Sequence, residues 1–294
     1  MSTREQLERI ARSHLPEAVA ERWIALIRPT LRLRPAGPEE APAGRLGGVP
    51  AVPGDFAWPE WPGQGPLNLV ASIDCGRLPA GCLDPALPSA GTLLFFYFDE
   101  GNRTSQEEFV PPVGTWDPET LAGARVVHVP AGVPVAVRGL PGGVDPYQEV
   151  PLAAEATVTG PDFSHPVFRD ACRDLPEKDR AFLDDWSNGE AFGDALDERF
   201  QPPMHQLGGY AFPIQNPVET EVGFAHVPEN SGDRAQRWKA AEEEGKRWVL
   251  LAQIDSDPAA GMMWGDAGML YWLIRREDLA AGDFPAASFT WQCS

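Results

Sequence analysis

Apolar and polar positions along this chain change their spacing several times, and each change predicts a new element. Leu7, Ile10, Ala11 and His14 recur at three- and four-residue steps, one face of a helix. Ser2 and Glu5 precede them in capping-box spacing. Pro16 suits the first turn of a second helix, where its missing N–H costs nothing. Ala20, Trp23, Ile24 and Ile27 form that helix's stripe, and Pro29 stops it. Residues 1–29 therefore read as a helical arm packed on a main body. Thr30-Leu31-Arg32-Leu33-Arg34 then alternates, as a half-exposed strand does.

Further along, three blocks recur in the same order. Leu46-Gly47-Gly48-Val49 returns as Leu207-Gly208-Gly209-Tyr210. The run ending Ala71-Ser72-Ile73-Asp74 returns as Ala252-Gln253-Ile254-Asp255, each with period-two apolar positions that predict an interior strand. Gly91 then opens the apolar run 92–98, as Gly268 opens 269–274. Repetition in order predicts a repeated structural unit. The expected fold is α+β: a duplicated, β-rich body of two related halves with interior strands, plus the helical arm. In this reading residues 30–294 form one domain with repeats of approximately 30–160 and 161–294.

Between the blocks, residues 35–66 are rich in Pro and Gly, and Trp58 and Trp61 predict that the loop is ordered by burying them. Residues 99–160 hold short alternating runs broken by prolines, which predict edge strands. Residues 163–199 have helical composition. Residues 233–247 read as an exposed, charged helical insertion on the second repeat.

Composition narrows the function classes. The formal net charge is −19, which repels nucleic acid and suits a basic protein partner or a bound cation. With no apolar run long enough to span a bilayer and no apolar signal core near the start, membrane association is not expected and a cytoplasmic location is. Cys75, Cys82, Cys172 and Cys293 have no Cys-x-x-Cys spacing and read as free thiols. A monomer is the favoured state.

Two clusters carry candidate chemistry. Asp255, Asp257 and Asp266 could bring carboxylate oxygens to one hard divalent cation such as Ca²⁺ or Mg²⁺, or could cap their own turns. His205 and Gln206 stand beside a Gly-Gly turn, where a base or ligand-binding group could act, or where a tight turn simply needs glycine. Loop tryptophans such as Trp264 can line a ligand groove or plug a core. No phosphate loop, nucleophile elbow or zinc-protease motif occurs.

Gly47-Gly48-x-Pro50 leading to Trp58-Pro59, His205-Gln206-Leu207-Gly208-Gly209, and Leu251-Ala252-Gln253-Ile254-Asp255-Ser256-Asp257 leading to Trp264-Gly265-Asp266-x-Gly268 together resemble the bacterial YwqG-like family, a domain of unknown function. The likeness runs from about residue 30 to the C-terminus. It implies an α+β fold with a duplicated body and brings no catalytic residues with it. The family's usual Gln before the Ile is kept at Gln253 but is Ser72 in the first block, so a ligand role for that Gln would rest on Gln253. Family context implies a role in immunity or stress. The expected function is thus a non-enzymatic binding protein with an acidic face toward a basic partner and no cofactor. His205, Gln206, Gln253 and Trp264 are its ligand-binding candidates. The alternative is a divalent-metal-binding protein or metal-assisted hydrolase using Asp255, Asp257 and Asp266.

Overall fold

The structure is a computed structural model that describes residues 2–102, 112–199 and 201–294. In chain order its elements are α1 (Thr3–His14), α2 (Glu17–Leu26), β1 (Arg28–Pro35), β2 (Gly44–Leu46), β3 (Ala51–Pro53), β4 (Glu60–Trp61), β5 (Gly65–Pro66) and β6 (Asn68–Asp74). There follow β7 (Thr92–Tyr97), β8 (Ala124–Val129), β9 (Val135–Val137), β10 (Val150–Thr159), α3 (Pro166–Ala171), α4 (Glu177–Asp184) and α5 (Trp186–Asp197). The chain continues through β11 (Gln206–Leu207), α6 (Val218–Ala225), α7 (Arg234–Gly245), β12 (Trp248–Asp255), β13 (Met269–Arg275), α8 (Arg276–Ala281) and β14 (Ser288–Gln292).

Ten strands form one antiparallel sheet in the order β14-β13-β12-β11-β1-β10-β2-β6-β7-β8. Its two outer arms have matching registers. Asp74 faces Thr92, and Asp255 faces Met269. Each Ile-Asp strand carries one irregularity at the same place, between Leu69 and Ala71 and between Leu250 and Ala252. Gly47 N–H donates to Val70 O at 2.9 Å, and Gly208 N–H to Leu251 O at 3.3 Å. All four glycines of the two Gly-Gly turns have positive φ, between 56° and 73°. That conformation is cheap only for glycine, so the recurring motif is a backbone requirement.

The centre of the sheet differs from the sequence expectation. β10 lies inside the 99–160 stretch expected to hold edge strands, yet it is central, pairing with β1 along eight residues and with β2. Pro151 is tolerated there because its carbonyl still bonds, accepting from Ala36 N–H. β8 does lie at an edge. β10 separates β1 from β2, and β1 pairs with β11 on its other side. The strands of 30–160 are thus contiguous in the sheet and join those of 161–294 through the β1–β11 pairing alone.

Three cores follow from the faces of this sheet. The inner faces of both arms share the largest one, where Phe95 meets Trp272 edge-on at 5.3 Å and Tyr97 stacks on Phe289. Trp58 and Trp61 order the Pro/Gly-rich loop by packing on Phe96 and Phe98. The second core joins α1 and α2 to α3–α5 around Trp23, Phe168 and Phe192. Ser2 and Glu5 do form the capping box of α1, but α1 and α2 are two members of a five-helix cluster. The third core puts Val218 and Val222 of α6 against Leu250, Tyr271 and Leu273 on the outer face of the second arm. Helix α7 packs on α6 so closely that a Cβ on Gly223 would meet Ala241 O at 2.3 Å. The charged 233–247 stretch is thus part of the layer covering that arm.

Candidate functional site

His205 immediately precedes β11, which lies at the seam of β1 and β12 with Gln206 opposite both Arg32 and Gln253. The His205 ring is fully buried. Its Nδ1 accepts from Asp255 N–H at 3.0 Å, so Nε2 carries the proton and faces Asp257 Oδ2 at 3.2 Å. That hydrogen bond, with a further one from Ala259 N–H, holds the Asp257 carboxyl below the usual range. Burial pushes the Asp255 carboxyl the other way, even though its Oδ2 accepts from Met204 N–H at 2.7 Å.

The other sequence candidates fall into two groups. Gln253 is buried and bridges two chain segments, its Oε1 accepting from Phe212 N–H and its Nε2 donating to Met204 O, both at 2.8 Å. Gln206 Nε2 donates to Tyr210 O at 2.7 Å across the Gly-Gly turn. Trp264, the loop tryptophan that could line a groove or plug a core, is 2% exposed and packs on Tyr97 and Tyr147, its flat ring closing the end of the main core. Asp266 lies exposed on the surface, apart from the buried Asp255 and Asp257. Among the described residues no group of three His, Cys, Asp or Glu side chains is placed to hold a metal ion. The His205–Asp255–Asp257 network fixes the path of residues 204–210.

That path forms one wall of a cleft of about 280 Å³ between the helical cluster and the sheet. Met204 and Gln206 line it from the sheet side. Trp23, Phe163, Tyr210 and Phe212 supply aromatic surface. Asp162, Glu190, Asp194 and Asp197 bring four carboxylates. Burial raises the Asp162 carboxyl, and burial together with the charge of Asp194 raises Asp197. The cleft's arginine, Arg32, is committed elsewhere, donating to Gln201 O and Pro203 O. Behind Asp162, His165 Nε2 lies 3.3 Å from Glu219 Oε2 in a fully enclosed pair, and Arg28 sits over the Tyr210 ring at 3.5 Å.

Of the sequence candidates, only Gln206 lines this cleft. Its acids come from the 159–164 turn and α5, far from the recurring blocks. Their signal was faint: Glu190, Asp194 and Asp197 fall at steps of four and three, one face of a helix.

Sheet and helical cluster together define an α+β protein with a recessed acidic cleft between them. The chain belongs to a family described as a domain of unknown function, DUF1963, which matches residues 44–293. The match starts at Gly44, so α1, α2 and β1 precede it. No curated protein matches this sequence. No helix among the described residues is long and apolar enough to cross a membrane.

Proposed function

We propose that this is a non-enzymatic binding protein whose cleft receives a basic side chain presented by a protein partner. One observation carries the reading: four carboxylates surround an aromatic-walled cleft whose arginine is already occupied by backbone carbonyls. Carboxylates attract a guanidinium or ammonium group, and aromatic faces favour the same cation while accepting its methylene stem. The volume, near the lower end for ligand pockets, suits one side chain. The buried His205 network supports the wall and has no access to a reactant, which favours binding over catalysis. In this reading the two arms are copies of one unit, and the cleft belongs to the second copy with the helices that pack on it.

Calorimetric titration with a short arginine peptide and its citrulline counterpart tests the proposal. The arginine peptide should bind at least about tenfold more tightly, a difference of roughly 1.4 kcal/mol. The Asp194→Asn/Asp197→Asn pair should remove most of that preference. Equal affinity for both peptides would sink the idea. Because Asp162 and Asp197 have raised pKa values, they take up protons at a higher pH than ordinary aspartates. Affinity should therefore begin to fall at a higher pH than the titration of ordinary aspartates, and binding in that range should release protons, read as a dependence of the measured enthalpy on buffer.

A further inference from the structure

The outer faces of the two arms are built to the same register and filled differently. On the second arm, the pairs Gln253–Tyr271 and Met269–Gln292 set out three side chains that grip a non-helical segment, 211–217, by its backbone. Gln253 Oε1 accepts from Phe212 N–H, and Tyr271 Oη donates to Phe212 O at 2.8 Å. Gln292 Oε1 accepts from the N–H groups of Ile214 and Gln215, while its Nε2 donates to Asn216 O.

On the first arm the equivalent pairs are Ser72–Leu94 and Thr92–Val129. Ser72, Leu94 and Val129 thus stand where Gln253, Tyr271 and Gln292 stand on the other arm. The chain that follows Gly48 does not lie over them. It leaves to pair β3 with β9 in a separate two-stranded ribbon. What remains is a groove of about 560 Å³ lined by these three residues. Ser72 is 7% exposed, and its hydroxyl has no hydrogen-bond partner. Arg45 Nε is also buried without a hydrogen bond, 3.5 Å from Glu149 Oε2.

We propose that this groove docks a segment of a partner protein: non-helical, uncharged and apolar, laid over the first arm as 211–217 is laid over the second. The Ser72 hydroxyl meets a backbone group of that segment, the task Gln253 performs for Phe212. The occupant is uncharged because the groove's charges already answer one another, Arg45 beside Glu149 and Arg77 beside Asp74 at 3.2 Å. It is apolar because Leu94 and Val129 form the floor and Val133 and Val135 the rim. Val135 and Val137 of the ribbon are 47% and 70% exposed, an apolar edge beside the groove. The site is separate from the acidic cleft and stands or falls without it.

The test pans a displayed library of random octapeptides against the whole chain. Winning sequences should be uncharged and apolar. They should bind at least tenfold more weakly to Ser72→Trp, which fills the groove, and to Val135→Glu, an exposed change that leaves the core alone. The arginine peptide of the cleft should bind both variants as it binds the parent. A charged consensus, no enrichment, or equal binding to Val135→Glu overturns the proposal. Self-association of the parent chain that Val135→Glu abolishes would also overturn it, assigning the groove to a second copy.

Discussion

Asp74 and Asp255 end matching strands of the two arms, yet one is half exposed beside Arg77 and the other is buried near a histidine ring. The N–H of Asp74 goes to a carbonyl, Ala43 O, whereas that of Asp255 goes to His205 Nδ1. Gly44 occupies the position of His205 on the first arm, and a Cβ there would meet Ser72 O at 2.5 Å. The pattern extends along the outer face: Gln, Tyr and Gln on one arm, Ser, Leu and Val on the other. Strand pairing and Gly-Gly turns build the same frame twice. The side chains on its outer face then decide whether that frame is sealed by the chain itself or left open.

The largest effect should come from giving the sealed arm a residue of the open one. Gln253→Ser removes the acceptor that holds Phe212 N–H and the donor that holds Met204 O, at a cost of about 3 kcal/mol. A urea midpoint measures this, and hydrogen exchange should quicken in 211–217 ahead of the rest. An unchanged midpoint would mean that the segment is held by packing instead.

A smaller effect separates two aspartates on the sealed arm. Asp257 has a lowered pKa, so its contribution is present above the unfolded value of about 3.9 and is lost as pH falls through the folded one. Asp257→Asn should cost about 2 kcal/mol at neutral pH and nothing once pH is well below 4. Asp255 has a raised pKa, so its ionised form weakens the fold above that pKa. Asp255→Asn, which keeps an oxygen for Met204 N–H, should be neutral or stabilising at pH 7. Opposite signs at neutral pH are the outcome to look for in thermal melts across pH.

The smallest effect compares the two turns. Gly208→Ala pays the left-handed penalty of about 1 kcal/mol, and its Cβ meets only a movable Leu83 methyl. Gly47→Ala pays the same and also drives its Cβ to 2.7 Å from two backbone oxygens, of Tyr147 and Gln148. It should be the more damaging by about 1 kcal/mol or more. Equal losses would show that the loop around Tyr147 yields more easily than its packing suggests.

The recurring blocks made the outer arms legible in the sequence: period-two apolar positions located β6 and β12, continuous apolar runs located β7 and β13, and the Gly-Gly pairs marked turns of positive φ. The middle was not legible. β10 reads Val-Pro-Leu-Ala-Ala-Glu-Ala-Thr-Val-Thr, with a proline and few large apolar side chains, and only its distant partner β1 makes it central. His205 and Asp257 were both singled out. Their contact depends on the Gln206–Gln253 register, which local pattern does not encode. The cleft stayed hidden for a related reason. Its carboxylates sit on α5, whose sequence shows a helix face but not what that face meets.

The placing of β1 between β10 and β11 has a consequence for how the molecule comes into being. A chain growing from its N-terminus completes β1 at residue 35, but its two neighbours are finished only at residues 159 and 207. At the pace of ribosomal synthesis, β1 waits on the order of ten seconds for the first of them and longer for the second. Through that interval Leu31 and Leu33, both buried at the end, have no sheet to enter. β1 is therefore among the first strands made but pairs only after β2, β6, β7 and β8 are complete, and this distant pairing makes folding slow relative to a chain of neighbouring hairpins.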